Sequence, residues 1–350
     1  MRKRFLPLLV TILVFILAYA ICTLQFPKIL SWRVVGNLMT DNAFLGVVAV
    51  GMTFVIISGG IDLSVGAVIA FTGVFLAVTI QHGLPPELAF ILVIGIAAIF
   101  GAAMGAMIHY LRTPPFIVTL AGMFLARGSC FLMTTNSVPV DHPLYVRLNE
   151  IFVQLPQGGR LSLVGIIMLV TVVAGSLLLH QTRFGTNVFA LGGNRAAAAM
   201  MGVPIARTTI LIYVLSATLS ALAGIVYSLY TSSGYSLAAV GVELDTIAAV
   251  VIGGTLLTGG QGFVLGTFIG VLIQGLIQTY ITFDGTLSSW WTKIVVGLLL
   301  FAFIAFHRLL VVLSARRLQA APSPQRRGQP AETRSAASQP AKTSTEVRST

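Results

Sequence analysis

The residues that most often carry catalysis or bind metals are few in this chain, and they lie far apart in the sequence. The five histidines lack the short, regular spacing of metal ligands: His82, His109, His142, His180 and His307. There is no HExxH motif, no convincing carboxylate pair and no recognisable Ser-His-Asp arrangement. No lysine follows a glycine, which excludes the phosphate-binding loop of ATPases. We therefore expect no catalytic residue, no metal site and no cofactor bound by this chain.

One acidic residue lies between two strongly apolar segments, in the stretch SGGIDLSVG at residues 58–66. A charged side chain at the centre of a membrane helix costs roughly 2.5–3.5 kcal/mol on insertion scales. The cost is lower where a helix begins, and Asp62 is predicted to cap a helix starting near Leu63. Asp62 is therefore either a capping residue at a broken helix or, with Gly59, Gly60 and Ser64, part of a gating or substrate-passage site.

Small and polar residues share one row of a later apolar segment. Gly262, Gly266 and Gly270 form a small-xxx-small pattern, which allows another helix to approach closely. Gln274 and Gln278 continue the same four-residue spacing. Two amides in an apolar segment either form hydrogen bonds between helices or line a polar pathway, and the sequence leaves both readings open.

The composition explains why polar residues are so informative here. Of the 350 residues, 56% are hydrophobic and only 9% are charged, whereas a soluble domain carries roughly 25% charged residues. The sequence thus predicts an all-α, polytopic membrane protein with about ten spans. The apolar segments are 5–24, 43–58, 61–80, 88–109, 116–135, 162–180, 210–231, 246–258, 262–283 and 290–310. Segments 43–58 and 246–258 are short and end at glycines, so we expect broken or partly re-entrant helices there.

The net charge of +11 reflects the ends of the segments and the tail, so it does not indicate nucleic-acid binding. With a cytoplasmic N-terminus and ten spans, 15 of the 21 Lys and Arg residues fall on the cytoplasmic side. Most acidic residues, including Glu243 and Asp245, then fall on the external side. The loop 136–161 is predicted to be external. The loop 181–210 and both termini are predicted to be cytoplasmic.

The predicted cytoplasmic loop contains a short helix with clear start and stop signals. Asn194 is a good N-cap, residues 195–201 are mostly alanine, Gly202 suits the left-handed position after a helix, and Pro204 prevents continuation. A separate helix in such a loop indicates a docking element for another protein. The alternative is a helix lying on the lipid surface, although it lacks the basic stripe and bulky apolar face of such helices.

Four motifs of this chain resemble a known family of membrane proteins. They are SGGIDLSVGA (58–67), ALGGNRAAAAMMGV (190–203), GVELDTIAAVVIGGTLLTGGQG (241–262) and SSWWTKIVVGLL (288–299). Together they resemble the membrane permeases of bacterial carbohydrate-uptake ABC transporters, in the ribose, xylose and galactose branch, and most of all those for galactofuranose. The resemblance covers residues 5–312.

The resemblance implies a permease domain at 1–312 in the bacterial inner membrane. The remainder, 313–350, is rich in Ala, Pro, Ser, Gln and Arg with no apolar period, and its composition predicts a disordered cytoplasmic tail. The resemblance also implies a coupling loop that docks on an ATPase: Gly192, Gly193, Asn194, Arg195, Ala197, Ala198 and Gly202. Arg195 departs from the uncharged or acidic residue that is more usual there. The implied partners are an ABC ATPase carrying ATP and Mg²⁺, a periplasmic sugar-binding protein and a second, related permease, as a heterodimer or alternatively a homodimer.

The resemblance thus implies ATP-driven import of a sugar, a furanose such as galactofuranose. Related permeases for ribose, xylose, nucleosides or amino acids are the alternatives. An ion-coupled secondary transporter would need ionisable residues embedded in the membrane, and by sequence only Asp62 qualifies. A membrane enzyme is disfavoured because the chain has no reactive cluster.

Overall fold

The computed structural model describes residues 6–288 and 290–319 and consists almost entirely of helices, as the sequence predicts. The helices are α1 (Leu6–Gln25), α2 (Trp32–Asp41), α3 (Ala43–Ile57), α4 (Val65–Gln81), α5 (Pro86–Tyr110), α6 (Pro115–Met133), α7 (Pro143–Asn149), α8 (Leu163–Gln181), α9 (Arg183–Gly193), α10 (Arg195–Met200), α11 (Ile205–Thr231), α12 (Val242–Ile252), α13 (Val264–Asp284) and α14 (Trp290–Gln319). Short 3₁₀ turns occupy Pro27–Leu30 and Pro156–Gly158.

Fewer helices are long enough to span a membrane than the sequence predicted. Within the described part of the chain, α1, α5, α6, α8, α11 and α13 have the required length and composition. Helices α2 and α3, which meet at a bend of 55°, add a seventh span if they are counted together. Each of the ten predicted apolar segments contains a helix, but α4 has 17 residues and α12 only 11. The expectation of about ten spans was therefore loose, because several apolar helices are too short to cross alone.

Helix α3 forms the centre of the molecule. Of its 15 residues, all but Phe44 are buried. A helix that is apolar on every side must be surrounded by protein, and α3 contacts α8, α11, α12 and α13. Helix α4 is also largely buried and packs against α5, α6 and α11. The two short central helices are thus enclosed by longer ones.

Glycines allow several of these helices to pack backbone against backbone. A Cβ atom at Gly101 or Gly105 of α5 would collide with the α11 backbone at Tyr213 or Ile210. Likewise, the predicted packing glycines of α13 lie against α12. A Cβ atom at Gly266 would collide with the carbonyl of Gly253, and one at Gly270 with that of Ala249. Gly262 precedes α13 and packs against the side chains of Thr255 and Ile57.

The described residues include two small antiparallel sheets. In the first, β1 (Val138–Pro139) pairs with β4 (Ser233–Gly234), with Val138 opposite Gly234. In the second, β2 (Phe152–Gln154) pairs with β3 (Arg160–Ser162). The Thr40 and Ser162 hydroxyls, 2.7 Å apart, connect the second sheet to α2. The loop 136–161 therefore packs on the ends of α2 and α11.

The chain divides into two compact units, at residues 1–304 and 305–350. The described part of the second unit is the last portion of α14, which extends to Gln319 and thus beyond the predicted start of the tail at residue 313. The predicted disordered tail otherwise falls at 320–350, outside the described residues.

Candidate coupling and translocation site

The predicted coupling helix is present with the caps that the sequence indicates. The Asn194 side-chain oxygen accepts a hydrogen bond from the Ala197 N–H at 3.0 Å and so caps α10. Gly202 has φ +79, the left-handed conformation that glycine adopts without strain. The sequence did not reveal that the preceding residues 183–193 form a helix of their own, α9, capped by Thr182.

The outer face of α10 combines one charge with two methionines. Ala198 is completely buried, whereas Arg195, Met200 and Met201 are exposed, the methionines by 83% and 72%. Methionine is flexible and polarisable, and it is common on surfaces that bind other proteins. This helix thus has an apolar tip that sequence reasoning overlooked, because the alanines dominated the pattern.

The predicted coupling loop meets α3 and the turn before α13 through backbone contacts. The Gly260 N–H donates to the carbonyl of Ile57, the last residue of α3, at 2.8 Å. Gly192, near the end of α9, lies against the same carbonyl so closely that a Cβ atom would collide with it. Gly259, with φ +82, lies beside Gly59, with φ +84. We call this meeting point of Gly192, Ile57 and Gly260 the glycine junction. It joins α9 to the end of α3 and to the turn before α13.

Asp62 is fully buried just beyond this junction. Its carboxylate accepts hydrogen bonds from the Ser64 N–H at 2.9 Å, the Ser64 hydroxyl at 2.6 Å and the Ser216 hydroxyl of α11 at 2.7 Å. Helix α4 begins at Val65, later than predicted, so Asp62 closes a turn before the helix and is not its N-cap. In this conformation the carboxylate fixes the α3–α4 turn to α11 and has no exposed surface.

The other translocation candidates occupy different environments. Gly60 packs against the Tyr213 side chain, and Ser64 is buried with Asp62. The Gln274 side chain donates to the backbone carbonyl of Asp245 at 3.0 Å and thereby connects α13 to α12. Gln278, one turn further, is exposed. The structure therefore separates the two glutamines that the sequence treated as one row.

Sequence reasoning missed an arginine in the middle of a span. Arg127 is near the centre of α6, and its guanidinium donates to the carbonyls of Ser236 and Ala238, each at 2.7 Å. The statement that only Asp62 is embedded was thus wrong. The signal was available, since an arginine inside the apolar run 116–135 requires a partner in the membrane.

The chain that Arg127 holds, residues 232–241, links α11 to α12 with only the short strand β4 as regular structure. We call it the interrupted segment. The acidic residues after it were expected in an external loop. They begin α12, where Lys293 of α14 lies 2.7 Å from a carboxylate oxygen of Asp245. In the parts of the chain that the structure covers, no three His, Cys, Asp or Glu side chains cluster as metal ligands would.

Comparison with known proteins assigns this arrangement to a family. Residues 34–304 match the family described as "Branched-chain amino acid transport system / permease component". The chain belongs to this permease family. It is accordingly a multi-pass membrane permease, and not an enzyme, as the sequence predicted.

Curated relatives of this permease cover nearly its whole length. It is 60% identical to the inner membrane ABC transporter permease protein YjfF of Escherichia coli (strain K12), over 91% of this chain and 96% of that protein. It is 38% identical to the fructose import permease protein FruG of Bifidobacterium longum (strain NCC 2705), over 89% and 93% of the two chains. It is also 38% identical to the ribose import permease protein RbsC of Bacillus subtilis (strain 168), over 84% and 90%. No solved structure matches the permease.

Proposed function

We propose that this permease is the membrane subunit of an ATP-driven sugar importer in the bacterial inner membrane. The observation that carries the proposal is the exposed, capped helix α10, connected through α9 and the glycine junction to the central helix α3. The relatives named as ribose and fructose import permeases support a sugar as the substrate.

The mechanism follows from these contacts. An ABC ATPase, which binds ATP and Mg²⁺, docks on α10 from the cytoplasm, with Arg195, Met200 and Met201 at the contact. ATP-driven closure of that partner moves α9 and α10. Because the glycine junction is made of backbone atoms in direct contact, the displacement of α9 and α10 is transmitted to α3 and to the turn before α13 with little loss of amplitude. The bundle then changes between outward-open and inward-open states.

The remaining parts of the importer are separate chains. A periplasmic sugar-binding protein delivers the substrate, and a second, related permease completes the translocation path, as a heterodimer in our proposal. The substrate that we propose is a furanose such as galactofuranose. Both termini and the helices α9 and α10 face the cytoplasm, whereas the loop 136–161 faces the periplasm, in keeping with the distribution of Lys and Arg.

Reconstitution in liposomes tests the proposal. This permease is incorporated alone, and then with the second permease, the ATPase and the binding protein added one at a time. We expect ATP-dependent uptake of galactofuranose only with the full set. Ribose, fructose, xylose and leucine serve as competitors. Strong competition by leucine would indicate that the transported substrate is an amino acid and not a sugar. Uptake by the permease alone, driven by a proton or sodium gradient, would contradict the proposal.

A further inference from the structure

The interrupted segment 232–241 packs beside the middle of the spanning helix α6 and beside the apolar helix α4. Arg127, which binds its carbonyls, is the thirteenth residue of the 19-residue spanning helix α6. The segment also runs along the apolar helix α4, from the middle of that helix toward its start. Gly234 packs on Gly73, and the carbonyl of Ala239 lies against Gly66, close to the start of α4. Residues 232–241, which belong to no helix, thus run alongside the spanning helix α6 and the shorter apolar helix α4.

One side of this segment is tied to the protein. Arg127 holds the carbonyls of Ser236 and Ala238, and the Ser236 hydroxyl donates to the carbonyl of Thr134 at the end of α6. Ser236 and Ala238 are themselves buried. The side chains of Tyr235, Leu237 and Val240 point away, and they are 38%, 50% and 65% exposed.

The exposed side cannot face lipid. Within the described residues, the N–H groups of Leu237 and Val240 donate no hydrogen bond to protein. Each unpaired backbone group costs several kcal/mol in hydrocarbon. Non-helical backbone at membrane depth is tolerated only where protein covers it or where it lines a water-filled cavity. Leu125, on the lipid-type surface of the helix α6, is just as exposed, at 65%, but its backbone is helical.

We propose that the exposed side of residues 235–244 lines the aqueous path through which the sugar crosses the membrane, and that Arg127 is the residue that positions it. This inference rests on the proposed transport function and specifies where the path lies. The lining would be Tyr235, Leu237 and Val240, followed by Leu244 in the first turn of α12, which is 63% exposed. The two acidic residues of that turn lie against protein, Glu243 at Gly66 and Asp245 at Lys293. Such a surface of mostly apolar side chains with free backbone groups suits a neutral, polyhydroxylated solute, because it binds sugar hydroxyls only weakly.

Cysteine accessibility tests the location of the path. Leu237→Cys and Val240→Cys are made in a background in which Cys22 and Cys130 are replaced by alanine, with Leu125→Cys as the matched control. The importer is assembled in native cells, purified through a tag on this chain and placed in liposomes. A charged methanethiosulfonate reacts with thiolates in water, so positions 237 and 240 should label at least about tenfold faster than position 125. A membrane-soluble maleimide should label all three and so confirm that the thiols are present.

Labelling at 237 and 240 as slow as at 125 would overturn the inference, since lipid or a tightly packed partner would then cover the segment. The assembled importer could still transport sugar in that case, so the proposed function would stand independently.

A second pair of variants tests Arg127. Arg127→Gln cannot hold both carbonyls through a guanidinium, whereas Arg127→Lys keeps a cation that reaches at least one. In the Val240→Cys background, we expect Arg127→Gln to change the labelling rate severalfold and to lower the maximal uptake rate. Arg127→Lys should restore much of both. Equal labelling in all three proteins would show that Arg127 does not position the segment, and Arg127→Lys keeps the test usable if the glutamine variant fails to fold.

Discussion

The hydrogen bond between Ser216 and Asp62 gives a prediction whose size follows from the contacts. The Asp62 carboxylate is fully buried and accepts three hydrogen bonds, of which only that from the Ser216 hydroxyl, at 2.7 Å, comes from another helix. A hydrogen bond to a charged group contributes about 1.5–3 kcal/mol, compared with about 1 kcal/mol for a neutral one. Ser216→Ala should therefore lower the free energy of unfolding by about 1.5–3 kcal/mol.

Ser220→Ala is the matched control. Ser220 is one turn further along α11 and equally buried, but its hydroxyl donates only to the backbone carbonyl of Ser216. Its loss should cost about 1 kcal/mol. Both variants are combined with Asp62→Ala, and unfolding is followed by circular dichroism in mixed micelles of dodecyl maltoside and increasing SDS.

The two double-mutant cycles separate the interhelical bond from general packing. The Asp62–Ser216 cycle should give a coupling energy of about 1.5–3 kcal/mol, whereas the Asp62–Ser220 cycle should be additive within about 0.5 kcal/mol. Additivity in both cycles would refute the view that Asp62 fixes the α3–α4 turn to α11. Normal stability of Ser216→Ala with reduced sugar uptake would instead favour the gating role that the sequence left open.

Two further predictions concern the coupling loop and the orientation of the chain. Gly202→Val should impair uptake because a β-branched residue resists φ +79. Gly202→Asn should be tolerated, since asparagine adopts this conformation and nothing lies within 4 Å of the new Cβ atom. Normal uptake by a well-expressed valine variant would count against a coupling role. An impermeant thiol reagent should reach Arg147→Cys from the periplasm and Arg195→Cys only from the cytoplasm, since both residues are exposed on loops at opposite predicted sides. The reverse labelling pattern would show that the chain has the opposite orientation, in which α10 would not face a cytoplasmic ATPase.

Local sequence rules predicted the short helix α10 because its ends depend on neighbouring residues. Asn194 and Gly202 specify the start and end of α10 through bonds within a few residues. The all-α membrane fold was equally accessible, since it follows from long apolar runs. The number of spans could not be predicted in the same way, because α4 and α12 are as apolar as the spanning helices and differ from them only in length.

Features that depend on distant parts of the chain escaped prediction. Asp62 was expected to cap its own helix, but the hydroxyl of Ser216, 154 residues away, completes its environment. The interrupted segment looked like a loop between spans, and its depth became evident only through Arg127. Glycine spacing indicated close packing in α13, yet it could not identify α12 as the neighbour.

The glycine junction limits how this permease can be re-engineered. At that point the Gly192 backbone fits against Ile57 and Gly260 without any intervening side chain, so the three segments form a matched set. Residues 190–203 alone could be transplanted into another permease to make it dock on a different ATPase. The transplanted loop would then not match the surface of the recipient's counterpart of α3. A workable chimera must exchange the 57–60 and 257–262 turns together with the loop, so the smallest unit that can be exchanged consists of three segments that are distant in the sequence.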